Sequence, residues 1–96
     1  MKKINFYIGA NNTTHKVETS KALAILSNYY EGMNISEMIG YWQGQEEQSI
    51  LVSIVCEAVD YTMIKSACKE LNKVLDQQAI MIEVLDSNTI FISDRN

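Results

Sequence analysis

The sequence predicts a two-layer α+β domain, and three features predict it. Apolar residues alternate with neighbours of the other face in three short runs, Ile4-Phe6-Ile8, Ile50-Val52-Ile54 and Ile80-Ile82-Val84. That period of two is the mark of a strand with one face in a core. Between these runs lie two stretches whose apolar residues recur every three to four positions, the stripe of an amphipathic helix. The chain has 96 residues, 47% hydrophobic and 21% charged, so it can build one core and has no room for a second. Four glycines and no proline exclude collagen-like, linker-like and low-complexity classes.

Each element follows from local chemistry. Over residues 3–9, Ile4, Phe6 and Ile8 face one way and Asn5 and Tyr7 the other. Gly9-Ala10-Asn11-Asn12-Thr13-Thr14 then ends the strand with loop formers. A helix starts near residues 18–20, with Thr19 or Ser20 as its cap. Ala22, Leu23, Leu26, Tyr29 and Tyr30 form its stripe, Ile25 widens it, and Gly32 ends it. Residues 35–43 are rich in strand formers, and Gly40 within them predicts a bulge or a close backbone approach. Gln43-Gly44-Gln45-Glu46-Glu47 reads as a polar hairpin connection, and 49–56 as the returning strand.

Asp60 caps the second helix. Its stripe is Ile64, Ala67, Cys68, Leu71 and Leu75, with Lys65, Lys69, Glu70 and Lys73 toward water. Residues 79–85 form a further strand and Asp86-Ser87-Asn88 a turn. Thr89-Ile90-Phe91-Ile92 has the composition of a fifth, C-terminal hairpin strand, and 93–96 reads as a frayed tail. The order strand, helix, strand, strand, helix, strand is the split βαβ plan of a ferredoxin-like βαββαβ sandwich, with both helices on one side of an antiparallel sheet. One such domain spans residues 1–96.

Charge and cysteine content narrow the function classes. Eight basic residues against twelve acidic ones give a net charge of −4, which argues against a general nucleic-acid binder. The short apolar stretch after Lys2-Lys3 is cut by Asn5, so it does not read as a signal peptide. No run approaches the roughly 18 apolar residues of a membrane span. Two cysteines, Cys56 and Cys68, both in apolar patterns, read as reduced buried thiols. Together these point to a cytoplasmic protein.

A two-layer fold leaves one sheet face uncovered. On that face the alternation puts Tyr7, Leu51, Val55 and Met81, joined by one of Tyr41 or Trp42, among Asn5, Ser49, Ser53 and Glu83. A small chain with limited core of its own would bury such a patch by self-association, so the expectation is a homo-oligomer through this face. The alternative is an ordinary solvated sheet.

Candidate ligand residues cluster in two places. The segment Asn11, Asn12, Thr14, His15 and Lys16 combines amides, hydroxyls and positive charge after a strand, which suits an anion. Lys2, Lys3, Lys16 and Lys21 are opposed there only by Glu18. Tyr7, Tyr41 and Trp42 offer an aromatic wall for a flat ligand. No Walker or dinucleotide glycine pattern is present, and one His with two separated Cys has no metal-ligand spacing, so neither a cofactor nor a metal is implied. No catalytic set is visible; an enzyme would have to draw on His15 or on a buried carboxylate such as Glu37 or Glu83 with a raised pKa.

The segments Tyr7-Ile8-Gly9-Ala10-Asn11-Asn12, Gly40-Tyr41-Trp42-Gln43-Gly44 and Gln77-Gln78-Ala79-Ile80-Met81 together resemble small, largely uncharacterised ferredoxin-like proteins of bacteria, phages and plasmids, grouped as a domain of unknown function. The likeness covers roughly residues 4–84. It implies the fold and carries no catalytic residues. It also implies a mobile-element origin and, by analogy, a counter-defence protein sequestering an anionic nucleotide-like signal or a host protein. A small-molecule enzyme of the dimeric ferredoxin-like type and a structural assembly subunit are the alternatives.

Overall fold

Six elements follow one another as β1 (Lys2–Gly9), α1 (Thr19–Leu26), β2 (Asn34–Trp42), β3 (Gln45–Cys56), α2 (Tyr61–Val74) and β4 (Met81–Asp86) in the computed structural model. The structure describes residues 1–77 and 79–93, with Trp42 described by its backbone alone. The strands form one antiparallel sheet in the order β2-β3-β1-β4. This is the ferredoxin-like arrangement, with β1 and β3 central.

The register turns alternation into a core. Ile4 lies between Ile54 and Val84, Phe6 between Val52 and Ile82, and Ile8 opposite Ile50. Ala22, Ile25 and Leu26 of α1 and Ile64, Ala67 and Leu71 of α2 close over this side. Removing these side chains from water is the main stabilising term. Asp60 caps α2 as its sequence suggests, its carboxylate accepting from the Met63 N–H at 3.1 Å.

Several local expectations are corrected. The first helix stops at Leu26 rather than near Gly32. Ser27 Oγ donates to the Ala24 carbonyl at 2.9 Å, a bond that competes with helix continuation. The turn that follows swings Tyr30 into the core, edge-on to Phe6 at 6.0 Å between ring centroids. The N-cap of α1 is Glu18, without a side-chain cap bond, rather than Thr19 or Ser20. Gly40 forms no bulge, because pairing runs unbroken from Asn34↔Ser53 to Trp42↔Gln45. A Cβ on Gly40 would meet the Glu47 carbonyl oxygen at an ordinary 3.8 Å, so no close approach requires the glycine.

The hairpin connection is two residues, not five. Gln43 (φ 49°) and Gly44 (φ 77°) both take positive φ, the form of tight turn that matches strand twist. Ladder pairing can therefore begin at Gln45, which lengthens β3 to 12 residues. The last β1 pair is Gly9↔Ser49, so Ile39–Trp42 and Gln45–Gln48 overhang the sheet and pair only with each other. β4 begins at Met81, two residues later than predicted. Residues 89–92 are not a strand, since no strand among the described residues lies beside them. The tail residues 94–96 lie outside the described residues. Cys56 and Cys68 are free and half-buried rather than fully buried, and burial pushes the Cys68 thiol pKa up.

Candidate functional site

The loop between β1 and α1 is built around Asn11. Its buried side-chain oxygen accepts from the N–H groups of Thr13 at 2.7 Å and Thr14 at 3.0 Å. Its backbone accepts from the His15 N–H at 2.8 Å and donates to the Lys16 carbonyl at 2.9 Å. This winding leaves His15 at φ 60°, in the left-handed region. The C-terminal end of α2 anchors the loop from the other side. Gln77 Nε2 donates to the Ala10 carbonyl at 2.6 Å, the Asn12 N–H to the Asp76 carbonyl at 3.3 Å, and the Thr13 hydroxyl to the Asp76 carboxylate.

The hairpin overhang faces this loop. Between them lies a groove of about 390 Å³ lined by Gly9–Asn12, His15, Gln45–Gln48 and Gln77. Its side chains are amides, one imidazole and the carboxylates of Glu46 and Glu47. A second groove, about 420 Å³, runs on the helix side between Val17 and Thr19 before and at the start of α1 and Glu37, Ile39 and Gln48 of the hairpin.

The uncovered sheet face carries an ordered polar network. Asn5 Nδ2 donates to Glu83 Oε1 at 2.9 Å, the Tyr7 hydroxyl donates to the same oxygen at 3.0 Å, and Ser53 Oγ donates to Asn5 Oδ1 at 2.7 Å. The bond from Asn5, then that from Tyr7, holds the Glu83 carboxyl below its ordinary pKa. The same bond pushes the Tyr7 phenol up. Half-buried Leu51 and Val55 and exposed Met81 flank the network, and no helix or strand among the described residues covers them.

The structure brings some predicted residues together and parts others. Asn11, Asn12 and His15 line the loop–hairpin groove; Thr14 and Lys16 are exposed outside it. Asn11 is committed to shaping the loop, so its amide oxygen is spoken for. Tyr7 and Tyr41 make no common wall. By register Tyr7 lies on the uncovered face, while Tyr41, paired with Glu46, lies on the helix side. The side chain of Trp42 lies outside the described residues. Tyr7, Leu51, Val55 and Met81 do share the uncovered face.

Two enzyme candidates are corrected. Glu37 is exposed rather than buried, because β2 is an edge strand beyond the helices. Glu83 has a lowered pKa, not the raised one a general acid needs. The groove residues outside the ligand set expected from sequence are Gln45, Glu46, Glu47, Gln48 and Gln77. They join the loop only through the overhang and the α2 end, and the short Gln43-Gly44 turn was the available signal for that overhang. Among the described residues no group of three His, Cys, Asp or Glu side chains could hold a metal ion, and no helix is long and apolar enough to cross a membrane.

No protein-family model and no curated protein matches the chain. Solved structures do match in fold. A phage SAM lyase in its apo state superposes with a TM-score of 0.68 at 18% identity, over 88% of this chain and 78% of that one. A DUF3240-family protein from Shewanella baltica gives 0.58 at 8% identity, over 96% of each chain. CutA1 from Pyrococcus horikoshii gives 0.56 at 13% identity, over 92% of this chain and 86% of that one. At these identities the likeness is one of fold: a small ferredoxin-like domain, of a kind that includes an uncharacterised family.

Proposed function

We propose that this chain is a homo-oligomeric protein that binds S-adenosylmethionine in the groove between the 9–15 loop and the hairpin overhang, and cleaves it. The observation that carries the reading is the groove's lining. Amides offer both donors and acceptors, as an adenine requires. Glu46 and Glu47 suit the sulfonium and ammonium cations of that ligand. The sequence pattern pointed to an anionic nucleotide-like ligand, but Lys16 does not line the groove and two carboxylates do. A cationic nucleoside therefore fits this lining better. The fold shared with a phage SAM lyase supports the choice of ligand.

The chemistry suits a site without a catalytic triad. A sulfonium is already a good leaving group. When the substrate's own carboxylate attacks the carbon two bonds from its α-carbon, the C–S bond breaks and its electron pair returns to sulfur. The products are a lactone and a neutral thioether, with no net proton transfer. The protein has only to orient the substrate and exclude water. Removal of a small nucleotide-like metabolite is also a counter-defence activity, in keeping with a mobile-element origin.

Oligomerisation through Tyr7, Leu51, Val55 and Met81 is part of this proposal. The polar groups between them already satisfy one another, so a second copy could cover the face without orphaning them.

The test is to incubate the protein with S-adenosylmethionine, follow 5′-methylthioadenosine by chromatography, and measure binding by calorimetry. The expected result is both heat and product. Glu46→Gln combined with Glu47→Gln should weaken binding about tenfold or more, by removing two charge-assisted contacts. Heat without product would favour sequestration. Neither heat nor product would overturn the ligand assignment.

A further inference from the structure

The chain exposes two apolar segments that lie far apart on the sheet. One is the tail after β4, where Ile90, Phe91 and Ile92 are 77%, 81% and 85% exposed. The other is the hairpin overhang, where Ile39 and Tyr41 are 72% and 75% exposed on the helix side of β2. β2 is also an edge strand, so its outer row of N–H and C=O groups has no strand partner among the described residues. Thr89-Ile90-Phe91-Ile92 has strand-forming composition and no strand beside it among the described residues. Each segment thus lacks what the other offers.

They cannot meet within one molecule. Ser87 donates to the Met1 carbonyl at the start of β1, whereas Ile39 pairs with Gln48 beyond the Gly9↔Ser49 level. With a rise of roughly 3.4 Å per residue and strands roughly 4.8 Å apart, Ile39 lies roughly 30 Å along and roughly 14 Å across the sheet from Ser87. Residues 88–91 span at most roughly 14 Å even when fully extended. The molecule is 50 Å in its longest dimension and 22 Å in its shortest, consistent with two remote ends.

We propose that residues 89–92 of one copy dock along the β2 edge of a second copy, with Phe91 entering the groove beside Val17, Glu37 and Ile39. The docked tail is a fifth strand supplied in trans. The contact joins two different surfaces, so it is heterologous and closes into a ring where the rotation allows. It is separate from the uncovered sheet face and does not rest on the ligand assignment.

Light scattering on the full chain and on Phe91→Glu and Ile39→Glu tests this, with circular dichroism to confirm folding. Both positions are exposed, so the fold should survive. The wild type should exceed the monomer mass, and each variant should weaken association about tenfold or more, as loss of an interface anchor does. A second measurement uses a Cys56→Ser, Cys68→Ala background. Chains carrying Ile39→Cys are mixed with chains carrying Phe91→Cys, and a disulfide-linked pair should form only in the mixture. A monomeric wild type, or two variants with wild-type mass, would overturn the proposal. So would absence of the mixed disulfide from an assembled protein. Loss of S-adenosylmethionine binding alone would leave it standing.

Discussion

The Tyr7 hydroxyl donates to Glu83 Oε1 at 3.0 Å, although Tyr7 pairs with Met81 and Glu83 pairs with Asn5. The contact is a diagonal one between β1 and β4, within reach of a long aromatic side chain. It ties the two strands together on the face that the helices leave open, where Asn5, at 5% exposure, donates to the same Glu83 oxygen.

Stability should depend on pH through Glu83. Its carboxyl is held below the ordinary value of 4.5, first by Asn5 and then by Tyr7. The folded state therefore favours the charged form. The resulting stability is complete above the unfolded-state pKa and is lost as pH falls through the lower folded-state value. Urea unfolding from pH 7 down to pH 3 should show this loss, and Glu83→Gln should flatten that part of the profile. An unchanged profile in the variant would show that other carboxylates set the acid limb.

Phe6→Ala should be among the most damaging single changes. Phe6 is fully buried between Val52 and Ile82 and meets Tyr30 edge-on. Loss of transfer energy plus a cavity should cost about 3–5 kcal/mol, read as a lower denaturant midpoint. A cost below about 1 kcal/mol would mean that the neighbouring side chains collapse into the space.

Tyr30→Phe should have the opposite character. The Tyr30 ring is buried, and its hydroxyl has no hydrogen-bond partner among the described residues. Burial raises the phenol pKa to about 12. Removing an unsatisfied buried hydroxyl while keeping the ring should leave stability unchanged or raise it by about 1 kcal/mol. A thermal melt shifted clearly downward would point to a bound water on that oxygen.

Asn11→Ala should act on the site more than on the core. It removes the acceptor shared by the Thr13 and Thr14 N–H groups, which then have only water to bond. The expected stability cost is about 1–2 kcal/mol, as for other lost side-chain caps. Weakened S-adenosylmethionine binding should accompany it, because the loop shapes one wall of the groove. Calorimetry on the folded variant reads that effect directly.

Much of the fold is legible in the order of residues, because its signals are local. Ile4-Phe6-Ile8 and Ile50-Val52-Ile54 announce strands by a period that is a property of the backbone. Ile64, Ala67, Leu71 and Leu75 announce a helix face in the same way, and Asp60 announces its start. Composition and alternation together also identify the helix-covered and uncovered sides of the sheet. Asn11, Asn12 and His15 are legible as candidate ligand residues because loop chemistry is local too, and all three line the groove.

What three dimensions alone decided is which distant groups share a space. Glu46 and Glu47 read as a solvated tip until the two-residue turn lengthens β3 and carries them past Gly9 to face the loop. Gln77 joins that groove only because α2 ends beside Ala10. Past the end of helix α1 at Leu26, Tyr30 packs against Phe6, a contact 24 residues apart in sequence that no local window contains. Periodicity reports which side of its own element a residue occupies. It carries no information about where that element stops relative to a neighbour, and that relative length is what opens the groove.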